Sequence, residues 1–176
     1  MTGRLAVLTG PPGAGKSTVA ALLAERSSPG VHLHADDFWH VIRTGAVPPY
    51  LPEAHRQNGV VITALGRAAA AYAAGGYRVI VDGVIGPWFL DRFRAAAGHQ
   101  ELHYVVLRPD EATTLARATG RGAGALVDVE PVLTLHRQFA DLGPYERHAV
   151  DSTALDARAT ADEVHAGLTA GRFVLP

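Results

Sequence analysis

The sequence predicts an α/β domain, a parallel sheet with helices on both faces. Two observations carry this. Short apolar runs of strand length recur along the chain, and each is cut off by glycine, proline or a carboxylate. Between them lie stretches with apolar residues at helical spacing, and strands that alternate with helices build a parallel sheet covered on both sides. At 176 residues the chain is long enough for one domain with its own core, and a single domain over 1–176 is expected.

Leu5–Thr9 reads as a buried first strand, and Gly10–Gly15 must turn. Ser17–Arg26 carries Val19, Leu22 and Leu23 at helical spacing and is broken by Ser28-Pro29-Gly30. Val31–Ala35 is the second strand, ending at Asp36-Asp37. A short helix is expected within 38–52, followed by a loop through Pro48-Pro49-Tyr50-Leu51-Pro52. Glu53–Ala74 is a long helix with Val61, Leu65, Ala68 and Tyr72 on one side, stopped by Gly75-Gly76. Tyr77–Val81 is the third strand, ending at Asp82; Trp88–Ala97 is helical, and Leu102–Leu107 is the fourth strand, stopped by Arg108-Pro109. Asp110 caps a helix running to Thr119. The three glycines of Gly120–Gly124 make this stretch the best candidate for a mobile segment. Val129–Leu142 is a helix with Val132, His136, Phe139 and Leu142 in register, and Arg147–Val150 is a weaker fifth strand. Thr160 with Glu163 forms a capping box for the last helix, which runs to Ala170.

Composition narrows the function classes. Net charge is −1 at pH 7, so no global basic field exists to grip nucleic acid. There is no cysteine, hence no disulfide framework and no cysteine-based zinc site. No leader pattern stands at the N-terminus and no apolar run has the length of a membrane span, so a cytoplasmic protein is expected. Of the 16 basic residues 15 are arginine, and the one lysine is Lys16. A lysine placed at random would reach that position about once in 176 placements.

Lys16 sits in Gly10-Pro11-Pro12-Gly13-Ala14-Gly15-Lys16-Ser17, a full match to G-x-x-x-x-G-K-[ST], with a strand before it and a helix after. In such a P-loop the glycines let successive backbone N–H groups turn inward around phosphate oxygens, and the helix presents its positive end to the same spot. A site for ATP or a related triphosphate is therefore expected at Gly10, Pro12, Gly13, Ala14, Gly15, Lys16, Ser17 and Thr18. Lys16 reaches the β- and γ-phosphates, and the Ser17 hydroxyl takes one position on Mg2+. Asp82 closes an apolar strand, where an aspartate holds magnesium directly or through water.

Ligands of open parallel sheets bind at the carboxyl ends of the strands, so Asp36-Asp37 should stand where an acceptor hydroxyl arrives. Asp36 is expected to take or orient the hydroxyl proton, with Asp37 capping the next helix. Arg117 and Arg121 flank a glycine-rich stretch and are expected to stack on the base or neutralise charge on the transferred phosphoryl group; Arg108 and Arg137 are weaker candidates. The segment from His40 to Asn58 should overlie the second strand and form a substrate pocket, with Arg56 and Asn58 among its candidates. Trp39 and Trp88 read as core. His32 and His34 alternate on one strand without a carboxylate or cysteine at metal spacing and read as structural.

The loop Gly10–Ser17, then Asp36-Asp37, then Asp82, then Arg117 and Arg121 resemble the small P-loop kinases: shikimate and gluconate kinases, polynucleotide kinase and, in layout and length, chloramphenicol phosphotransferase. That resemblance implies a P-loop NTPase fold with five parallel strands in the order 2-3-1-4-5. It also implies a lid, over about 117–130, that closes on ATP. It makes Asp36 the base or orienter. The substrate-binding arginines of shikimate kinase have no counterpart here, and Trp39 and His40 stand where polynucleotide kinase has an arginine. The resulting expectation is a Mg2+-dependent transfer of the γ-phosphoryl group of ATP to a hydroxyl of a small molecule, a metabolite or an antibiotic. The competing readings are a regulatory nucleotide-binding ATPase and a kinase of nucleic-acid ends.

Overall fold

The computed structural model describes residues 5–120 and 128–176. Five parallel strands form one sheet in the order β2-β3-β1-β4-β5, as the resemblance implies. The strands are β1 (Leu5–Thr9), β2 (Gly30–His34), β3 (Arg78–Asp82), β4 (Leu102–Leu107) and β5 (Ala149–Val150). The helices are α1 (Lys16–Glu25), α2 (Ala35–His40), α3 (His55–Ala74), α4 (Pro87–Ala97), α5 (Glu111–Thr119), α6 (Val129–Gln138) and α7 (Ala157–Thr169).

Alternation along the central strands divides the core in two. Leu5 and Val7 point to the side covered by α3 and α4, where they meet Ile62, Leu65, Leu90 and Phe93. Ala6, Leu8 and Ile80 point the other way, onto Val19, Ala20 and Leu23 of α1 and Val164 and Leu168 of α7. Every residue of β1 is buried, which is why it carries no polar alternation and reads as a continuous apolar run.

Several boundaries differ from expectation for local physical reasons. Helix α3 turns a different face to the core: Val61, Ile62, Leu65, Gly66, Ala69 and Ala73 are buried, while Tyr72 is 44% exposed and sits edge-on to Tyr77. The register follows Gly66, whose missing Cβ would stand 2.8 Å from Ala96 Cβ, so α3 and α4 pack closely along that line. Helix α2 starts directly at the end of β2, earlier than expected, and Asp37 lies in its first turn instead of capping it. Helix α6 ends at Gln138, where the Phe139 and Ala140 N–H groups turn to the i−3 carbonyls of His136 and Arg137, and the Arg108 guanidinium donates to the carbonyls of Phe139 and Ala140. The last helix begins at Ala157, not at the expected Thr160 box; Asp156 caps it by accepting from the Ala159 N–H at 2.8 Å. By contrast, Asp110 caps α5 as expected, accepting from the Thr113 N–H at 2.7 Å.

The fifth strand is shorter than expected, because Gly143–His148 winds into a 3₁₀ turn begun by Pro144. The outer edge of β4 is therefore shared. Its second half pairs with β5, and its first half with the C-terminal tail, where the Tyr104 N–H donates to Phe173 O and the Leu175 N–H to Leu102 O. Arg172 covers the open side of β5: its guanidinium donates to Ala149 O at 2.9 Å and stands 4.9 Å from the Phe173 ring centroid. That leaves little free edge for a foreign strand to join.

His148 anchors this corner. It is buried, and its Nδ1 lies 2.8 Å from Tyr104 O. Burial pushes the imidazole below its ordinary value of 6.5, with the Arg147 and Arg172 charges adding to the shift and the Tyr104 hydrogen bond opposing it. The folded state holds the ring neutral where the unfolded chain already binds a proton. This contribution is complete above pH 6.5 and is lost as pH falls from there to the lowered pKa. The melting temperature should thus fall less steeply for His148→Asn than for the unaltered protein between about pH 7 and about pH 5. Calorimetry that gives equal slopes would show that His148 carries no such linkage.

Candidate active site

The site lies at the carboxyl ends of β1, β2 and β3, where the loop after β1 turns into α1. Its glycines have separate tasks. Gly10 has φ 141°, and a Cβ there would come within 2.1 Å of Leu107 O, so the loop leaves β1 tight against the end of β4. Gly13 has φ 86°, and its Cβ would meet Thr114 O at 2.3 Å, so α5 seats directly on the loop. Gly15 also has φ 86°, but nothing lies within 4 Å of where its Cβ would be. The loop is packed from behind and open at Gly15, the concavity a phosphate group needs. Pro12, Ala14 and Lys16 are buried, and Thr18 is exposed on the first turn of α1. Lys16 Nζ donates to Pro11 O at 2.9 Å, which holds the ammonium across the loop.

Parallel register brings Asp82 beside the start of α1. Leu8 pairs with Asp82 on one side and His34 pairs with it on the other. Ser17 Oγ donates to Asp82 Oδ2 at 2.6 Å. His32 Nε2 lies 2.6 Å and His34 Nδ1 3.0 Å from the other oxygen, Oδ1. Asp82 is 1% exposed. Burial alone would raise its carboxyl, but the hydrogen bonds from His32 and Ser17 and the charges of His34 and His32 outweigh it and hold the pKa below the ordinary carboxylate value. A buried aspartate is thereby kept ionised next to a serine hydroxyl, a pair of hard oxygen donors suited to Mg2+. Among the described residues no group of three or more histidines or carboxylates is arranged to hold a metal alone, so a cation here would share its shell with phosphate oxygens and water.

The loop after β3 is fixed from beneath. Gly83 N–H donates to Leu8 O, Ile85 N–H to Thr9 Oγ1 at 2.9 Å, and the buried Tyr104 hydroxyl to Ile85 O at 3.0 Å. Asp36 follows β2 on the first turn of α2. Its Oδ2 is 3.9 Å from His34 Nε2, so one imidazole stands between Asp36 and Asp82. Asp37 is exposed on the same turn.

The remaining candidates separate clearly. Arg117 donates to the carbonyls of Ser152, at 3.4 Å, and Leu155, at 3.2 Å, which ties α5 to the loop after β5. Arg121 lies outside the described residues, as does much of the expected lid. Arg108 is committed to Glu146 through two hydrogen bonds of 3.1 and 2.9 Å. Arg137 lies on the exposed face of α6 near Glu130. Arg56 is exposed on the first turn of α3. Asn58 is buried, and its amide accepts from Trp39 Nε1 at 2.8 Å and donates to Pro49 O at 2.7 Å. Gln57 beside it bonds both the N–H and the C=O of Val47. Asn58 and Gln57 hold the 47–49 stretch of the loop against α3. Trp39 packs against the core as expected, whereas Trp88 is 44% exposed.

Sequence reasoning missed His32 and His34. Their carboxylate partner is 50 and 48 residues away, across the β2–β3 pairing. The signal was the alternation of the two histidines on a strand placed to neighbour the one ending in Asp82.

This is a P-loop domain with a serine–aspartate pair at the loop and a second carboxylate on the neighbouring strand end. The chain belongs to the AAA domain family, whose model matches residues 7–125. No curated protein matches the sequence. Solved structures resemble it along nearly its whole length. A gluconokinase from Sinorhizobium meliloti 1021 has a TM-score of 0.73 at 22% identity, covering 97% of this chain and 94% of its own. A shikimate kinase from Acinetobacter baumannii, in complex with shikimate, has a TM-score of 0.67 at 22% identity, covering 97% and 95%. The Deinococcus radiodurans tunicamycin resistance protein has a TM-score of 0.69 at 18% identity, covering 99% of both chains. At these identities the likeness establishes the fold, that of the small P-loop kinases.

Gly83 joins Asp82 to this framework. A Cβ there would stand 2.4 Å from Ala35 Cβ, in the fully buried seam between the ends of β2 and β3. Gly83→Ala should therefore cost about 1–3 kcal/mol in urea unfolding, as overpacking of a filled core does. An unchanged midpoint would show that the seam yields freely.

Proposed function

We propose that the protein is a phosphotransferase that moves the γ-phosphoryl group of ATP to a hydroxyl of a small molecule, with Mg2+. The observation that carries this reading is the carboxylate arrangement. Asp82 is held ionised against Ser17, and Asp36 stands on the adjacent strand end, 3.9 Å from the same His34. A nucleotide switch needs the Ser17–Asp82 pair but has no use for a second carboxylate on the acceptor side. The structural likeness to kinases of gluconate and shikimate supports an alcohol acceptor.

In this reading the backbone N–H groups of Gly13–Ser17 and the Lys16 ammonium bind the phosphates and neutralise their charge. Ser17 and Asp82 would hold Mg2+, which when bound draws charge from the phosphate oxygens. Arg117, held by the loop after β5, would stack on the base from that fixed position, and Arg121 is the candidate to neutralise charge on the transferred phosphoryl group. Asp36 accepts a hydrogen bond from the incoming hydroxyl and takes its proton. The hydroxyl oxygen forms a bond to the γ-phosphorus as the bond to the β-bridging oxygen breaks, and ADP leaves. Positioning and charge neutralisation supply most of the rate. Asp37 and Arg56, both exposed near the end of β2 and the start of α3, and the buried Asn58 beside them are the acceptor-side candidates.

ATP consumption with magnesium should be measured against a panel of hydroxyl compounds: aminocyclitol, phenicol and macrolide antibiotics, sugars, nucleosides and short DNA. One member should raise turnover above the water background and gain the mass of a phosphate. A flat panel with tight ATP binding would favour the regulatory ATPase instead. Lys16→Ala should lower turnover by about 10²–10³-fold while the circular dichroism spectrum stays native. Near-normal turnover in that variant would sink the reading. Asp36→Asn should keep ATP affinity and lose about 10²–10⁴-fold in kcat. Should Asp37→Asn show that loss instead, the base is Asp37.

A further inference from the structure

We propose that His32 and His34 are positioning residues of the cation site, which together decide which oxygen of Asp82 faces the metal. The inference rests on the reading of Ser17 and Asp82 as cation donors.

Both imidazoles come from β2 and both converge on a single atom. His32 Nε2 is 2.6 Å and His34 Nδ1 3.0 Å from Asp82 Oδ1, while Oδ2 is left to Ser17 at 2.6 Å. The two histidines are two residues apart on a parallel strand, so their Cα atoms are a full pleat repeat apart. They reach the same oxygen only because they use different ring nitrogens: the nearer, His34, pairs directly with Asp82 and uses the short Nδ1 side, and His32, one pleat back, uses the longer Nε2 side. A carboxylate pinned at Oδ1 by two donors cannot rotate to chelate through both oxygens. It presents Oδ2 alone, beside the serine. This is the arrangement in which groups behind a ligand set its orientation and strength. His34 also faces Asp36 on its other side, at 3.9 Å, so the same ring spaces the cation carboxylate from the acceptor carboxylate.

The geometry gives a test that simple packing would not pass. A glutamine amide nitrogen can stand where a histidine Nε2 stands, and an asparagine amide nitrogen where Nδ1 stands. H32Q and H34N are therefore matched replacements, and H32N and H34Q are crossed ones. Binding of Mn2+ to the full chain would be measured by electron paramagnetic resonance in the presence of a non-hydrolysable ATP analogue. Affinity for the analogue without metal would be measured in parallel. H32L and H34L should bind Mn2+ about 10–100-fold more weakly, with metal-free nucleotide affinity unchanged. The matched variants should recover most of that loss and the crossed variants should not. If the leucine variants do not fold, the matched and crossed pairs alone decide. Equal Mn2+ affinity in matched and crossed variants, or wild-type affinity in the leucine variants, overturns the proposal while D82N still binds weakly. Wild-type Mn2+ affinity in D82N overturns the cation site itself and the proposal with it.

Discussion

A carboxylate buried at the end of a central strand is costly unless donors surround it, and Asp82 organises the site around that requirement. The compensation comes from three elements at once. Ser17 reaches it from the first turn of α1, and His32 and His34 from β2. Each donor is placed by secondary structure and not by a loop, because the parallel register sets His34 and Leu8 on either side of Asp82. The strand order is thus a condition for the chemistry: only with β3 between β1 and β2 can one carboxylate receive both the P-loop serine and the histidines.

The phosphate loop depends on the same framework from its other side. Gly10 passes against the end of β4 and Gly13 against α5, so the loop is braced by the half of the sheet that does not carry Asp82. Arg117 extends this bracing by joining α5 to the loop after β5. The base of the expected lid, the phosphate loop and the loop after β5 are thereby one packed unit. Opposite it, Gln57 and Asn58 hold the 47–49 stretch to α3 with five-atom amide groups that match backbone hydrogen bonds.

Much of this was legible in the residues. The strands were readable because those buried on both faces are apolar throughout, and the phosphate loop because its spacing has a mechanism. The departures have different causes. The Tyr72 side of α3 was decided by close packing on Ala96 at Gly66, a neighbour distant in sequence, whereas β5 is short because Gly143–His148 winds into a 3₁₀ turn at Pro144. The bonds of Asn58 to Trp39 and Pro49 were not legible, because the fold brings those residues to it from α2 and the loop that follows.

By itself the sequence determined the fold class, the phosphate loop with Lys16 and Ser17, and the strand-end positions of Asp36 and Asp82, since these follow from local spacing and hydrophobic pattern. Only the tertiary structure decided that His32 and His34 are polar partners of Asp82, and that His34 lies between it and Asp36. Those contacts join residues about fifty positions apart through strand pairing, a relation that no local pattern encodes.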